Sequence, residues 1–83
     1  MRVKYFAWVR ERIGLAEEVL DPPAEVVTVG DFVGWLATRD ETYAHALERP
    51  EVIRVALDQR HAPHGKPIAG AREIALFPPM TGG

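Results

Sequence analysis

Apolar and polar residues alternate from Arg2 to Trp8, with Val3, Tyr5 and Ala7 on one side and Arg2, Lys4, Phe6 and Trp8 on the other. A period of two marks a strand with one face against a core. The stretch predicts a first strand with Val3 and Tyr5 inward, leaving Phe6 and Trp8 as apolar residues on its outer face. Trp8 to Ile13 predicts a short helical turn, and Gly14 suits its C-terminal cap. Glu17 to Leu20 returns as a second strand, which Asp21-Pro22-Pro23 closes because each proline restricts the residue before it.

The period then changes. Val29, Phe32, Val33, Leu36 and Ala37 fall on one face of a helix over residues 29–39. Thr28 is placed to cap it, and Asp31 three residues on completes a capping box with a shorter side chain than usual. Gly30 and Gly34 each weaken such a helix by roughly 1 kcal/mol relative to alanine, so its apolar face must be well packed. Asp40 can cap a second segment over residues 41–48, with Ala44 and Leu47 inward and Pro50 ending it. Alternation resumes over residues 52–58, with Ile53, Val55 and Leu57 inward. Residues 59–70 read as loop, with a short edge strand near Ile68. After a turn at Gly70, Glu73 to Phe77 forms the last strand, with Ile74 and Leu76 inward and Phe77 sharing the outer face with Glu73 and Ala75.

The order strand, strand, helix, strand, strand predicts an α+β domain in which a mixed sheet wraps around one main helix. A β-grasp fold fits, with the first and last strands side by side and parallel at the centre. Phe6 and Phe77 then lie on neighbouring strands on the same outer face. A sheet with one face on a helix should offer water a polar face. Two phenylalanines and a tryptophan there point to a partner surface, unless loops or the short first helix cover them.

The last strand aims at Pro78 and Pro79, which end its ladder because proline has no N–H and fixes φ. Two prolines favour an extended exit. Met80, Thr81, Gly82 and Gly83 follow, and the five residues from Pro79 can reach at most roughly 17 Å. Glycine has no Cβ, so such an end fits a channel too narrow for side chains. The chain thus divides into a domain over residues 1–77 and an extended tail over residues 78–83. Small residues also collect at ordinary frayed termini.

Composition narrows the chemistry. Eighty-three residues make one domain with a modest core and little room for a deep active site. Ten Lys and Arg against twelve Asp and Glu, with no basic block, argue against nucleic acid. No apolar run approaches the ~18 residues of a membrane span. Met1 leads directly into an alternating strand rather than a signal sequence, so a cytoplasmic location is expected. There is no cysteine, which removes disulfides, thiolate metal sites and nucleophilic thiols together. Any sulfur chemistry must use an atom brought from elsewhere.

Two blocks at opposite ends of the chain carry a resemblance. The ending Phe77-Pro78-Pro79-x-Thr81-Gly82-Gly83 and the opening Phe6-Ala7-x-x-Arg10-Glu11-x-x-Gly14 resemble the small, sulfur-carrier subunit of molybdopterin synthase, the MoaD family. The resemblance covers the whole chain. Two departures are Ala69-Gly70-Ala71-Arg72-Glu73, where the family usually has acidic residues, and Met80 in place of a more usual valine. The resemblance implies a ubiquitin-like β-grasp fold and a carrier that is not catalytic alone. It implies a ubiquitin-activating-enzyme-like adenylyltransferase that uses ATP to activate the Gly83 carboxylate, which then becomes a thiocarboxylate. It also implies a large synthase subunit that receives the tail and passes the sulfur to cyclic pyranopterin monophosphate, in a heterotetramer of two large and two small subunits. On that basis Gly83 is the reacting residue, and Phe6, Phe77, Pro78, Pro79, Met80, Thr81 and Gly82 are partner-binding. No bound cofactor or metal is expected.

Other constellations are weaker. His61-x-x-His64 has Pro63 between its histidines and no supporting cysteine, so it reads as loop. Glu17-Glu18 and Asp40-Glu41 read as solvated charges, Arg10-Glu11 as a surface or interface pair, and Trp35 as packing at the core's edge. Three other functions share parts of this pattern. They are a sulfur carrier for thiamin or tRNA thiolation, a protein modifier joined to lysines by an isopeptide bond, and a plain ubiquitin-like binding module.

Overall fold

The computed structural model describes residues 1–79. Five strands form one sheet in the order β2-β1-β5-β3-β4. They are β1 (Arg2–Tyr5), β2 (Glu17–Val19), β3 (Arg54–Leu57), β4 (Arg60–His61) and β5 (Glu73–Phe77). Three helices, α1 (Ala7–Ile13), α2 (Val29–Ala37) and α3 (Glu41–Ala46), and a 3-10 turn at Pro50–Val52 complete the described chain. The first and last strands run parallel at the centre, Val3 opposite Ile74 and Tyr5 opposite Leu76. β3 flanks β5 antiparallel on the other side. This is the expected α+β arrangement. Both edge strands are short, which limits unpaired backbone on the sheet's margins.

The core lies between the sheet and the helices. Val3, Tyr5, Val55, Leu57, Ile74 and Leu76 enter it from the strands, and Val29, Phe32, Val33 and Leu36 from α2. The inward positions of β1, β3 and β5 are those the alternation predicts. The capping box of α2 is complete: the Asp31 amide donates to Thr28 Oγ1 at 3.1 Å and the Thr28 amide donates to Asp31 Oδ2 at 3.1 Å. The Thr28 amide, and then the Val27 amide that donates to the same oxygen at 3.2 Å, hold the Asp31 carboxyl below its usual pKa. Asp40 caps α3 by accepting from the Tyr43 amide. Trp35 sits half-buried beside Phe32 at the edge of the core, with Arg39 over its ring.

Several elements depart from the sequence pattern. β1 stops at Tyr5, because Ala7 takes φ +52° and turns the chain into α1. Trp8 is therefore a helical residue, packed half-buried against the core with Arg12 stacked 4.3 Å from its ring centroid. It is not on the outer face of the sheet. α1 otherwise ends as predicted, with Gly14 at φ 89° donating its amide to the Arg10 carbonyl. α2 stops two residues early, at Ala37, where Thr38 turns to bond Trp35. In α3 the buried residues are Tyr43 and Ala46, followed by Leu47, while Ala44 is exposed. The edge strand is Arg60–His61 and not the region of Ile68, where Pro67 makes only an isolated bridge to Thr28. Asp58 and Gln59 make this hairpin with φ +48° and +70°, the left-handed pair of a type I′ turn.

Glu18 is not a solvated charge. It faces inward opposite Val3, and its Oε2 accepts hydrogen bonds from Tyr5 at 2.7 Å and Tyr43 at 2.6 Å. The carboxylate ties β2 to β1 and α3. Burial, then the bond to Glu18, raises the pKa of both phenols, that of Tyr43 to about 12.

Candidate partner-docking site at the end of the central strand

β5 is the strand that leads to the tail, and it is held on both sides to its end. The Phe6 amide donates to the Leu76 carbonyl at 3.1 Å on the β1 side. Phe77 pairs with Arg54 on the β3 side. Its start is anchored as well, because Asp58 Oδ1 accepts from the Arg72 and Glu73 amides at 3.0 Å. Pro78 and Pro79 come next, half-buried, and offer no N–H to either neighbour. The direction in which the backbone leaves the sheet is thus set by two ladders and a stiff dipeptide.

The face of the sheet away from the helices is built in cross-strand rows. Near the start of β5, Arg2 on β1 meets Glu17 on β2 at 3.5 Å. Across the next strands Lys4 meets Glu73 at 3.2 Å. The middle of the face is small, with Ala75 opposite Ala56. The row at the exit differs in character. The parallel register that sets Tyr5 opposite Leu76 brings Phe6 beside Phe77, and Arg54 lies across from Phe77 on β3. Phe6 is 46% exposed and Phe77 half-buried. An apolar pair of this kind, open to water at the root of the tail, is suited to docking.

The structure therefore brings Phe6, Phe77, Pro78 and Pro79 together at one end of the sheet. Met80, Thr81, Gly82 and Gly83, the remaining sequence-predicted site residues, lie outside the described residues. Arg54 joins this site although its sequence context does not single it out. The signal was present in the alternation of β3, which puts residue 54 outward, but its neighbour across the sheet follows only from the register. The two histidines of the loop do not form a centre. His64 Nε2 lies 2.9 Å from the Ile53 carbonyl, a bond that pins the loop to the strand entry, while His61 is on β4 opposite Ala56. Among the described residues no group of three or more His, Cys, Asp or Glu could hold a metal ion. No helix among them is long and apolar enough to cross a membrane.

Known proteins share this layout. The ThiS family matches the chain over residues 3–83. The molybdopterin synthase sulfur carrier subunit of Escherichia coli (strain K12) is 31% identical over 83 residues, covering 100% of this chain and 99% of that one. The subunit of the same description from Haemophilus influenzae is 36% identical over 84 residues, with the same coverage. Among solved structures, SAMP1 from Haloferax volcanii superposes with a TM-score of 0.73 at 30% identity, covering 100% of this chain and 98% of its own. A second structure of that protein, described as small archaeal modifier protein 1, gives 0.72 at 29% identity, covering 96% and 97%. Matched along nearly its whole length, and sharing a ubiquitin-like β-grasp fold with these structures, the chain belongs to the ThiS family, in the company of the molybdopterin synthase sulfur carrier subunits.

Proposed function

We propose that the protein is the sulfur carrier subunit of molybdopterin synthase and that Gly83 carries the sulfur as a C-terminal thiocarboxylate. The observation that supports this most is the built exit of β5, clamped by β1 and β3 and continued by Pro78 and Pro79, in a chain that aligns end to end with two such subunits. The body is a handle, and the chemistry occurs on a tail presented to other proteins.

A carboxylate is a poor electrophile. An adenylyltransferase joins the Gly83 carboxylate to the α-phosphate of ATP and releases pyrophosphate, making AMP the leaving group. The outer sulfur of a persulfide displaces AMP, and a thiol cleaves the resulting acyl disulfide to leave the thiocarboxylate. Its sulfur then attacks a carbon of cyclic pyranopterin monophosphate within the large subunit, and the new C–S bond replaces a C–O bond whose oxygen leaves on the phosphate or, with a proton, as water. Hydrolysis of the acyl–sulfur bond returns the carboxylate. A dithiolene needs two sulfurs, so two loaded carriers are consumed per product. Acid, base and metal roles belong to the partners. Phe6 and Phe77 anchor the body on each partner in turn, and the two prolines reduce the entropy lost when the tail is ordered.

The test is reconstitution. Thiocarboxylated protein, the large subunit of the same organism and cyclic pyranopterin monophosphate are expected to yield molybdopterin at one product per two carriers. Failure of the loaded carrier, with the large subunit active on another carrier, would refute the reading. The likeness to small archaeal modifier protein 1 favours a second use, conjugation to lysines through the same adenylate. Lysine-linked adducts of the chain in cells would reveal it.

A further inference from the structure

The inner strands of the open sheet face carry three outward basic side chains, and two of them are neutralised within the face. Arg2 meets Glu17 and Lys4 meets Glu73. Arg54, exposed on β3 beside Phe77, has no acidic partner among the described residues. The carboxylates around it are already engaged. Glu51, which lines the same cleft as Arg54, is held by Arg49 at 3.3 Å. Asp58, at the far end of β3, accepts the Arg72 and Glu73 amides. The unpaired cation stands in the one row that is otherwise aromatic.

We propose that Arg54 is a specificity residue of this docking row. The partner that receives the tail offers an apolar pocket for Phe6 and Phe77, bordered by a carboxylate that pairs with Arg54. The inference rests on the reading that the row docks a tail-receiving partner, and it adds the charge that partner must carry. Docking removes water from the row. A guanidinium does not lose its proton, so it must gain an acceptor or be left desolvated and unpaired. The sheet itself supplies no such acceptor, because Glu17 and Glu73 are committed to Arg2 and Lys4. Its forked donors match a carboxylate through two parallel hydrogen bonds. A partner with a basic or wholly apolar rim at that point is rejected, which makes Arg54 a filter as well as a contact.

The test is calorimetric titration of the large synthase subunit of the same organism with the wild-type chain and the Arg54→Leu, Arg54→Glu and Phe77→Ala variants, at low and high salt. All residues concerned are at the surface, and circular dichroism checks that each variant is folded. Arg54→Glu is expected to weaken binding by roughly tenfold or more at low salt and Arg54→Leu by less, with the gap between them shrinking at high salt. Phe77→Ala weakens binding at both salts. If Phe77→Ala weakens binding while both Arg54 variants bind as well as wild type or better, the charge filter is overturned and the docking row stands. If none of the variants alters binding, or the wild type does not bind, both the filter and the docking row are overturned.

Discussion

Two aromatic and charged clusters lie on opposite faces of the same sheet, and they are finished differently. On the helix side, Glu18 accepts from both Tyr5 and Tyr43, so a carboxylate and two phenols satisfy one another at 2.7 and 2.6 Å. On the open side, Phe6, Phe77 and Arg54 lie in one row with no described acid to complete them. The first cluster is closed by residues of three elements and works as a strut. The second is open at the place where the chain leaves the sheet. Arg54 and Phe6 are exposed, so water completes this row in the free domain at little cost, and on the proposed reading a docking partner replaces that water.

The contrast can be broken from either side. The largest effect on the body comes from the core that supports both clusters. Phe32→Ala is expected to cost about 3–5 kcal/mol, read as the denaturant midpoint at unchanged slope, because the ring is wholly buried among helix and sheet residues. Removing the shared acceptor by Glu18→Ala strands two tyrosine hydroxyls and is expected to cost about 1–3 kcal/mol. The same strut predicts alkaline sensitivity. In the unfolded chain Tyr43 loses its proton near 10.0, whereas the folded protein holds it to about 12. Between these values the unfolded state binds fewer protons, so stability falls as pH rises. Below the lower value the contribution is constant. Tyr43→Phe should make that alkaline decline shallower without removing it, because Tyr5 is raised as well, and a pH series of thermal melts would check this.

Thr28→Ala should cost about 1 kcal/mol by opening the capping box of α2. The Asp31 half of that box has the opposite sign with pH. Its folded pKa is depressed, so its contribution is present above the ordinary carboxylate value and is lost as the solution becomes acidic. Smallest of all, Arg54→Leu should leave stability within about 0.5 kcal/mol, since the residue supports nothing in the described structure. A large loss there would mean that the open row is structural after all.

Most of the frame was legible in the sequence because alternation and caps are local signals. Val3, Tyr5, Ile53, Val55, Leu57, Ile74 and Leu76 are buried as their periodicity implies, and Thr28, Asp31, Asp40 and Gly14 cap as their chemistry implies. The misreadings have non-local causes. The alternation through Trp8 looked like strand because an alanine in the left-handed region, Ala7 at φ +52°, leaves no mark on the sequence. The hairpin at Asp58-Gln59 was hidden because its second residue is not the glycine that usually announces such a turn. Glu18 read as solvated because its two donors come from positions 13 residues before and 25 after it. Arg54 could be set on the outer face from period alone, but its place beside Phe77 needs the register of β3 on β5. The placing of Phe6 and Phe77 at the same end of neighbouring strands was legible because the parallel contact of first and last strands follows from the fold class.

The proposed chemistry is one acyl–sulfur bond at Gly83. Intact-protein mass after incubation with ATP, a persulfide sulfur donor and the cognate adenylyltransferase tests it most directly. The account predicts a gain equal to replacement of one oxygen by sulfur, abolished when Gly83 is deleted while the thermal melt is unchanged. An unchanged mass, with the same adenylyltransferase active on another carrier, would contradict it and leave the β-grasp body as a binding module or a modifier.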